Sequence, residues 1–410
     1  MPLPETVCSQ ANRLRAGQLT GTLIDMNEQE VHAVPAGEFP GVVPTLSQGA
    51  IRLRAMTEAD LPSVVEQATD PDTIAWTSVP QPYDLETARD FLALHASGWA
   101  HAEGTKHWAV ELLPRDGVEG LPFAGIVDLR PGTKGNAWET GFVLHPAARG
   151  RSVMSGALRL AARWAFEHGA PSLYWLAARG NFASWRVAHA CGFAHLGILP
   201  MRISDRVAGT ADAWAAVLRP DDEMSAQQAW IEPPVIDDAR LRLRPLRDDD
   251  HALAEPHDHP PHHLPARAVP TPETFDDWLL RRREVMSRGT SCNWCIADVS
   301  SDEPLGEVLV FVHSGHLVEN GTAELGYSIR PSSRGRGVAG GSARLAADHA
   351  LRPVAEGGLG LRRLVAETAA DNEASNRVLM GAGFTQWGRE EAADAPDGSI
   401  AAALHWERLA

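Results

Sequence analysis

Arg334-Gly335-Arg336-Gly337-Val338-Ala339 stands between a segment of strand-like alternation, residues 323–329, and an apolar-periodic segment of helical spacing, residues 338–351. The free amides of a helix start point at whatever sits before it, and the positive end of the helix dipole favours an anion there. Glycine lets the backbone come close to a pyrophosphate, so the stretch reads as a phosphate cradle. A glycine-rich turn alone is more often only a turn. This one gains weight from Asn372-x-x-Ser375 and Gly383-Phe384, which follow in the next strand-to-helix corner and just beyond it.

The constellation occurs twice. Glu324-Leu-Gly-Tyr327, Pro331, Arg334-Gly-Arg-Gly337-Val-Ala339, Asn372-x-x-Ser375 and Gly383-Phe384 reappear as Glu139-Thr-Gly-Phe142, Pro146, Arg149-Gly150-Arg151-Ser152-Val-Met154, Asn181-x-x-Ser184 and Gly192-Phe193. Ile51-Arg-Leu-Arg with Leu241-Arg-Leu-Arg, and His107-Trp108 with Asn293-Trp294, keep the same order. So long a period means two domains rather than a solenoid, and a chain of 410 residues is long enough for them. The expected division is an extension over 1–49, a first domain over 50–219, a linker over 220–238 and a second domain over 239–410.

These residues need elements to hold them. In the first repeat the pattern predicts strands at 51–54, near Val110 and Ile126, at 138–144 and at 173–177, with helices starting at Thr57 and covering 151–168 and 184–190. The hairpin strands near Val110 and Ile126 are bounded by Asp116-Gly and Pro131-Gly. The second repeat predicts a helix over 272–288, strands near Cys295 and Val308, a strand at 323–329, a helix over 338–351, a strand at 364–368, a helix over 375–381 and a last strand at 401–406. That order reads as α+β, each domain a mixed, mainly antiparallel sheet flanked by helices.

Composition narrows the function. A net charge of −16 excludes a general nucleic-acid binder, which needs a basic face, and suits a cationic amine or basic peptide. Only Lys106 and Lys134 are lysines, so the basic side chains are almost all guanidinium. No run of about 18 apolar residues offers a membrane helix. Residues 1–10 lack the basic-then-apolar order of a secretory signal, so the cytoplasm is expected. Four cysteines, Cys8, Cys191, Cys292 and Cys295, are too scattered for a disulfide framework, and Cys292 and Cys295 fall on opposite faces of one strand. The cluster His251, His257, His259, His262 and His263 is Pro-rich and irregularly spaced, which reads as a loop; no metal is assigned to it.

With its turn, its Asn-x-x-Ser and its Gly-Phe, each half resembles the GCN5-related N-acetyltransferase superfamily, in its RimJ/RimL-like branch, over 160 to 170 residues. The resemblance implies an acetyl-CoA-dependent enzyme that transfers acetyl directly to an amine. The pyrophosphate would lie on Arg334, Gly335, Arg336, Gly337, Val338 and Ala339. The pantetheine arm would enter between splayed strands at 323–329 and 364–368, touching Ile329, Asn372 and Ser375. By the same resemblance Glu324 is the general base, with Glu367 as second candidate, and Ser375 protonates the departing thiolate, since the tyrosine that many relatives use is replaced by Leu379 and by Ala188. Glu139, Arg149, Gly150, Arg151, Ser152, Asn181 and Ser184 mark a possible second site. There Ser152 replaces the central glycine and Met154 the small residue, so crowding of the cofactor is expected and the second domain is preferred. The His-rich stretch corresponds to the segment that walls the acceptor site. The expected acceptor is an amine-bearing peptide, protein or small molecule, plausibly a terminal α-amine, including peptides of natural-product pathways. A non-catalytic acyl-CoA-binding or peptide-binding module is the alternative.

Overall fold

The computed structural model describes residues 43–115, 117, 119–133, 136–205 and 209–410. The expectations that touch residues 1–42 (Cys8 among them), Asp116 and Lys134 lie outside the described residues. The chain divides after Asp222 into two compact units.

The first unit runs β1 (Leu46–Gln48), β2 (Ile51–Arg54), α1 (Leu61–Thr69), α2 (Pro71–Trp76), α3 (Leu85–Ala100), β3 (Lys106–Leu112), β4 (Leu121–Arg130), β5 (Trp138–Leu144), α4 (Val153–Glu167), β6 (Leu173–Ala178), α5 (Phe182–Ala190), β7 (Ala194–Asp205) and β8 (Gly209–Leu218). The second runs β9 (Ile236–Asp237), β10 (Leu241–Arg244), α6 (Phe275–Ser287), β11 (Ser291–Asp298), β12 (Pro304–Phe311), β13 (Thr322–Ile329), α7 (Val338–Leu351), β14 (Arg363–Ala369), α8 (Glu373–Gly381), β15 (Thr385–Asp394) and β16 (Ile400–Leu409). Among the described residues each unit holds one eight-stranded sheet, ordered β1-β2-β3-β4-β5-β6-β8-β7 and, in the same sense, β9-β10-β11-β12-β13-β14-β16-β15. All neighbours are antiparallel except β5 with β6 and β13 with β14. No helix among the described residues is long and apolar enough to cross a membrane.

The cores follow from the patterning. Helix α7 buries Val338, Ser342, Ala343, Ala346, Ala347 and Ala350 at helical spacing, and its small side chains let it lie close to the sheet. On β11, Cys292, Trp294 and Ile296 enter the cluster under α7, whereas Cys295 and Ala297 enter another cluster with Phe275 and Trp278, so the two cysteines do face opposite ways. Both are free thiols, and burial pushes both up from the ordinary thiol range. The repeated Arg-Leu-Arg strands carry a repeated ion pair: Arg54 to Asp60 at 2.7 Å, and Arg244 to Asp250 at 2.7 Å with both partners buried.

The duplication reaches further than the expected boundaries. Trp108 donates its indole N–H to the Pro44 carbonyl at 3.0 Å, and Trp294 donates to Pro234 at 2.9 Å. Strands β1 and β9 then pair with β2 and β10. Residues 46–48 therefore join the first sheet, and much of 220–238 is tied into the second unit, with Ile231 buried and bonded to the Met286 carbonyl. Helix α6 starts at Phe275 rather than Pro272, because Thr271 and Thr274 first close a hydroxyl-bonded turn. Helix α3 escaped the sequence pattern because only Ala88, His95 and Ala96 on it are buried.

Candidate functional site: a strand fork with a helix start at its mouth

Strands β13 and β14 pair only at Thr322–Arg363, Ala323–Leu364 and Glu324–Val365. Beyond Glu324 each stays paired to its outer neighbour, β12 or β16, but the two part from one another. The first unit repeats this fork, with pairing that ends at Thr140–Trp175. Inside such a fork the facing backbone amides and carbonyls lose their ladder partners, and an extended amide-bearing molecule can supply new ones.

At the mouth of each fork the expected turn leads into a helix. Gly335 and Gly337 have φ of 71° and 74°, and Gly150 and Ser152 have 72° and 54°. Ser152 thus takes the left-handed conformation of its glycine counterpart, and the two helices start alike. A side chain at Gly335 or Gly150 would meet nothing within 4 Å, so the turn is open to its surroundings. Met154 does not project from the turn. Its side chain is buried and lies 3.3 Å from where a Cβ on Gly125 would be, because the second position of α4 faces the sheet. Val338 is also buried, leaving its backbone for any ligand.

Arg334, Arg149 and Arg151 are already engaged through their guanidinium groups. Arg334 bonds Asp258 and reaches the Ile329 carbonyl at 3.4 Å, while Arg149 bonds Asp70 and Asp72. Arg336 accepts at its carbonyl from Arg240 at 2.6 Å, and Arg151 donates to the Glu119 carbonyl at 2.6 Å. Ala339 accepts from the Ser342 hydroxyl. The guanidinium groups of Arg334 and Arg149 are held by acids from earlier in the chain; glycines, backbone amides and, at the second turn, the exposed Arg336 side chain make up the open part.

Asn372 and Asn181 are helix caps. Each side-chain oxygen accepts from the amide of the serine three residues on, Ser375 or Ser184, at 3.1 Å, so α8 and α5 start before those serines rather than at them. This frees both serine hydroxyls. Ser375 Oγ lies 2.6 Å from the Tyr327 hydroxyl on β13. Burial pushes the Tyr327 phenol up to about 12, with the Ser375 bond opposing, so the phenol keeps its proton across the physiological range. The first repeat has Phe142 there, and Ser184 Oγ instead accepts from the Trp175 indole at 3.1 Å. Tyr327 stood in the repeated motif, and its mismatch with Phe142 was the one signal of its part in the site.

Glu324 lies at the crotch of the fork on the opposite face from Leu325 and Tyr327, and its carboxylate meets His313 at 2.8 Å. Through its rung with Val365 it shares that face with Glu367, which lies 3.6 Å from His405. His405 is also 3.6 Å from Glu390. In the first unit Glu139 is instead bound by Arg130, which also holds Asp128 at 3.0 Å.

The His-rich segment spans the mouth of the second fork. Glu255 accepts from the Ser332 amide at 2.9 Å and from Arg330 at 3.1 Å, just past β13; His262 and His263 meet Asp371, just past β14, at 2.9 and 3.0 Å. It is thus a strap rather than a free loop, fastened to both limbs.

The family model of the acetyltransferase (GNAT) domain matches residues 50–194 and again residues 240–385, well over half of the chain. No curated protein matches it. Among solved structures, the chain is similar to RimL, a ribosomal L7/L12 alpha-N-protein acetyltransferase in complex with coenzyme A, at 20% identity over 43% of this chain and 98% of that one, with a TM-score of 0.37. It is similar to the ribosomal-protein-S5-alanine acetyltransferase of Vibrio fischeri at 18% identity, over 43% of this chain and 96% of that one, with a TM-score of 0.36. The microcin C7 self-immunity acetyltransferase MccE, in complex with acetyl-CoA and AMP, is similar at 12% identity over 42% and 93%, with a TM-score of 0.37. By its twice-matched domain model, the chain belongs to the GNAT acetyltransferase family.

Proposed function

We propose that the second unit transfers an acetyl group from acetyl-CoA to a primary amine, and that the acceptor is the terminal α-amine of a peptide or protein, natural-product peptides included. The observation that carries this reading is the fork of β13 and β14, with Glu324 on one face and Ser375 Oγ, bonded to Tyr327, on the other. A thioester threaded through the fork has a carboxylate on the amine's side and a hydroxyl on the sulfur's side. The open turn at Gly335 and Gly337 and the first amides of α7 take the pyrophosphate.

In this reaction Glu324 takes a proton from the ammonium, directly or through water, and the neutral amine attacks the thioester carbonyl. The C–S bond then breaks as the thiolate takes the Ser375 proton; the second proton, lost by the nitrogen as the amide forms, returns to Ser375 through Tyr327 or water, and the first leaves Glu324 for solvent. The short bond between Tyr327 and Ser375 can run either way; when Tyr327 donates, the serine's own proton is free to face the fork. Glu367, His405 and Glu390 extend the acceptor face, and its carboxylates attract a cationic amine.

For the first unit the non-catalytic reading is favoured, as an acyl-CoA-binding or peptide-binding domain. Glu139 is committed to Arg130, Phe142 offers no hydroxyl, and Ser184 is held by an indole. The test is thermal stability of the whole chain with acetyl-CoA, followed by thiol release with a panel of amines and peptides. Stabilisation together with acceptor-dependent coenzyme A release is expected. Absence of stabilisation at millimolar acetyl-CoA refutes the donor, and binding without turnover on any amine makes both units binding modules.

A further inference from the structure

We infer that the strap across the second fork carries a transition-metal site, formed by His262, His263 and Asp371 and suited to Zn²⁺. The site does not depend on the acetyl-transfer reading. The three donor atoms lie within 4.8 Å of one another. Both imidazoles present Nε2 to one carboxylate, His262 to one oxygen at 2.9 Å and His263 to the other at 3.0 Å. Adjacent residues bring their rings to one point because they sit on a tight 3₁₀ turn, Pro261–His263.

Two imidazole nitrogens and one carboxylate oxygen form a borderline set that suits Zn²⁺ over Mg²⁺ or Ca²⁺, and three protein ligands leave a fourth position for water. Metal–ligand bonds of about 2.1 Å in tetrahedral geometry put donors about 3.4 Å apart, and the three donor atoms here, within 4.8 Å of one another, are close enough to gather around one ion. The surroundings favour a cation. His262 and His263 line one cleft with Glu367 and Asp394, and the side chain of Asp371 is 64% exposed, so an ion can reach it. The first unit has Gly180 in the place of Asp371 and cannot form the site. A bound ion would fasten the strap to the β14 limb, beside the acceptor face.

The experiment uses the full chain, stripped with a chelator and titrated with Zn²⁺ by calorimetry, with Co²⁺ absorption as a coordination signature. One Zn²⁺ per chain in the micromolar range or tighter is expected, with a Co²⁺ spectrum of low-coordinate type. His263→Ala and Asp371→Asn should each weaken binding by roughly tenfold or more. His257→Ala/His259→Ala, on the same strap but outside the set, should leave it within twofold. If the wild-type chain takes up no Zn²⁺, or if the His257/His259 variant loses as much affinity as His263→Ala, the site is refuted; the latter is the behaviour of a merely histidine-rich segment. Asp371→Asn keeps the side-chain shape, and a melting curve shows whether each variant is folded. If Asp371→Asn and His263→Ala both unfold, the wild-type stoichiometry and Co²⁺ spectrum decide.

Discussion

Replacing Ser375 with Ala separates the two things this serine does. Its backbone amide takes the Asn372 cap and its hydroxyl takes the Tyr327 bond, and only the second is lost. Helix α8 should therefore still form. The Tyr327 phenol keeps only the Ser375 carbonyl, at 3.3 Å, so stability should fall by about 1 kcal/mol, the net worth of one hydrogen bond, and by no more than about 3 kcal/mol if the phenol is left unsatisfied. Turnover should fall much further. Loss of a general acid costs roughly 10²- to 10⁴-fold, or about 3 to 5 kcal/mol of barrier. Tyr327→Phe makes the complementary cut. It leaves the serine hydroxyl in place and reproduces the Phe142 of the first repeat, so it should fold and lose only about tenfold, the order of one hydrogen bond. If Tyr327 acts only through Ser375, the double variant should be no slower than Ser375→Ala alone. The assay is steady-state thiol release at saturating amine, with the KM for acetyl-CoA and a melting temperature for each variant. A Ser375→Ala protein with wild-type kcat and a lowered melting temperature would refute the argument and leave the pair as packing alone. Ser184→Ala should not change turnover at all; a comparable loss there would move the chemistry to the first unit.

Three further perturbations test other links. Glu324→Gln should keep acetyl-CoA affinity while lowering turnover by roughly 10²- to 10⁴-fold, with partial recovery at higher pH where the free amine is abundant; unchanged turnover near neutrality would pass the role to Glu367. Ser152→Gly should stabilise the first unit by about 1 kcal/mol by relieving a left-handed non-glycine residue, and Gly337→Ser should cost the second unit a similar amount; differential unfolding of the two units reads both signs, and no change at either position would deny the strain. In the first unit His95 and His107 stack at 3.8 Å, and burial holds His95 far below and His107 near 4, against an ordinary value of 6.5. Because the unfolded chain binds those protons first, their neutral burial supports the fold above about pH 6.5, and this support is lost as pH falls towards 4, by about 3 kcal/mol for His107. His107→Asn, which copies Asn293 of the second repeat, should flatten the acid slope of the first unit's melting temperature between those limits, and an unchanged slope would mean that His107 is not responsible.

The duplication made most of the fold legible, since each weak pattern could be read against its copy: the forked strands, the two central helices and the corner asparagines all stand where the repeated motif indicates. Legibility stopped where a residue's role depends on partners far away in sequence. Nothing near Arg334 in sequence shows that its guanidinium is taken by Asp258, or near Arg149 that Asp70 and Asp72 hold it, because those acids lie more than 70 residues away along the chain. Met154 is a related case. A position in a motif says which backbone comes near a ligand, whereas the side chain's direction is set by helical phase, and the phase of α4 sends it into the sheet. The same distinction bears on which unit acts. Backbone conformation at the two turns is shared, so the cradles alone give no reason to prefer one. The difference lies in the side chains around each fork: a tyrosine hydroxyl, a histidine and a strap at the second; a phenylalanine, an arginine and an indole at the first. A duplicated fold can keep the amides that would hold a cofactor through backbone shape alone, but proton transfer needs particular side chains, and the proposed reaction draws on those around the second fork.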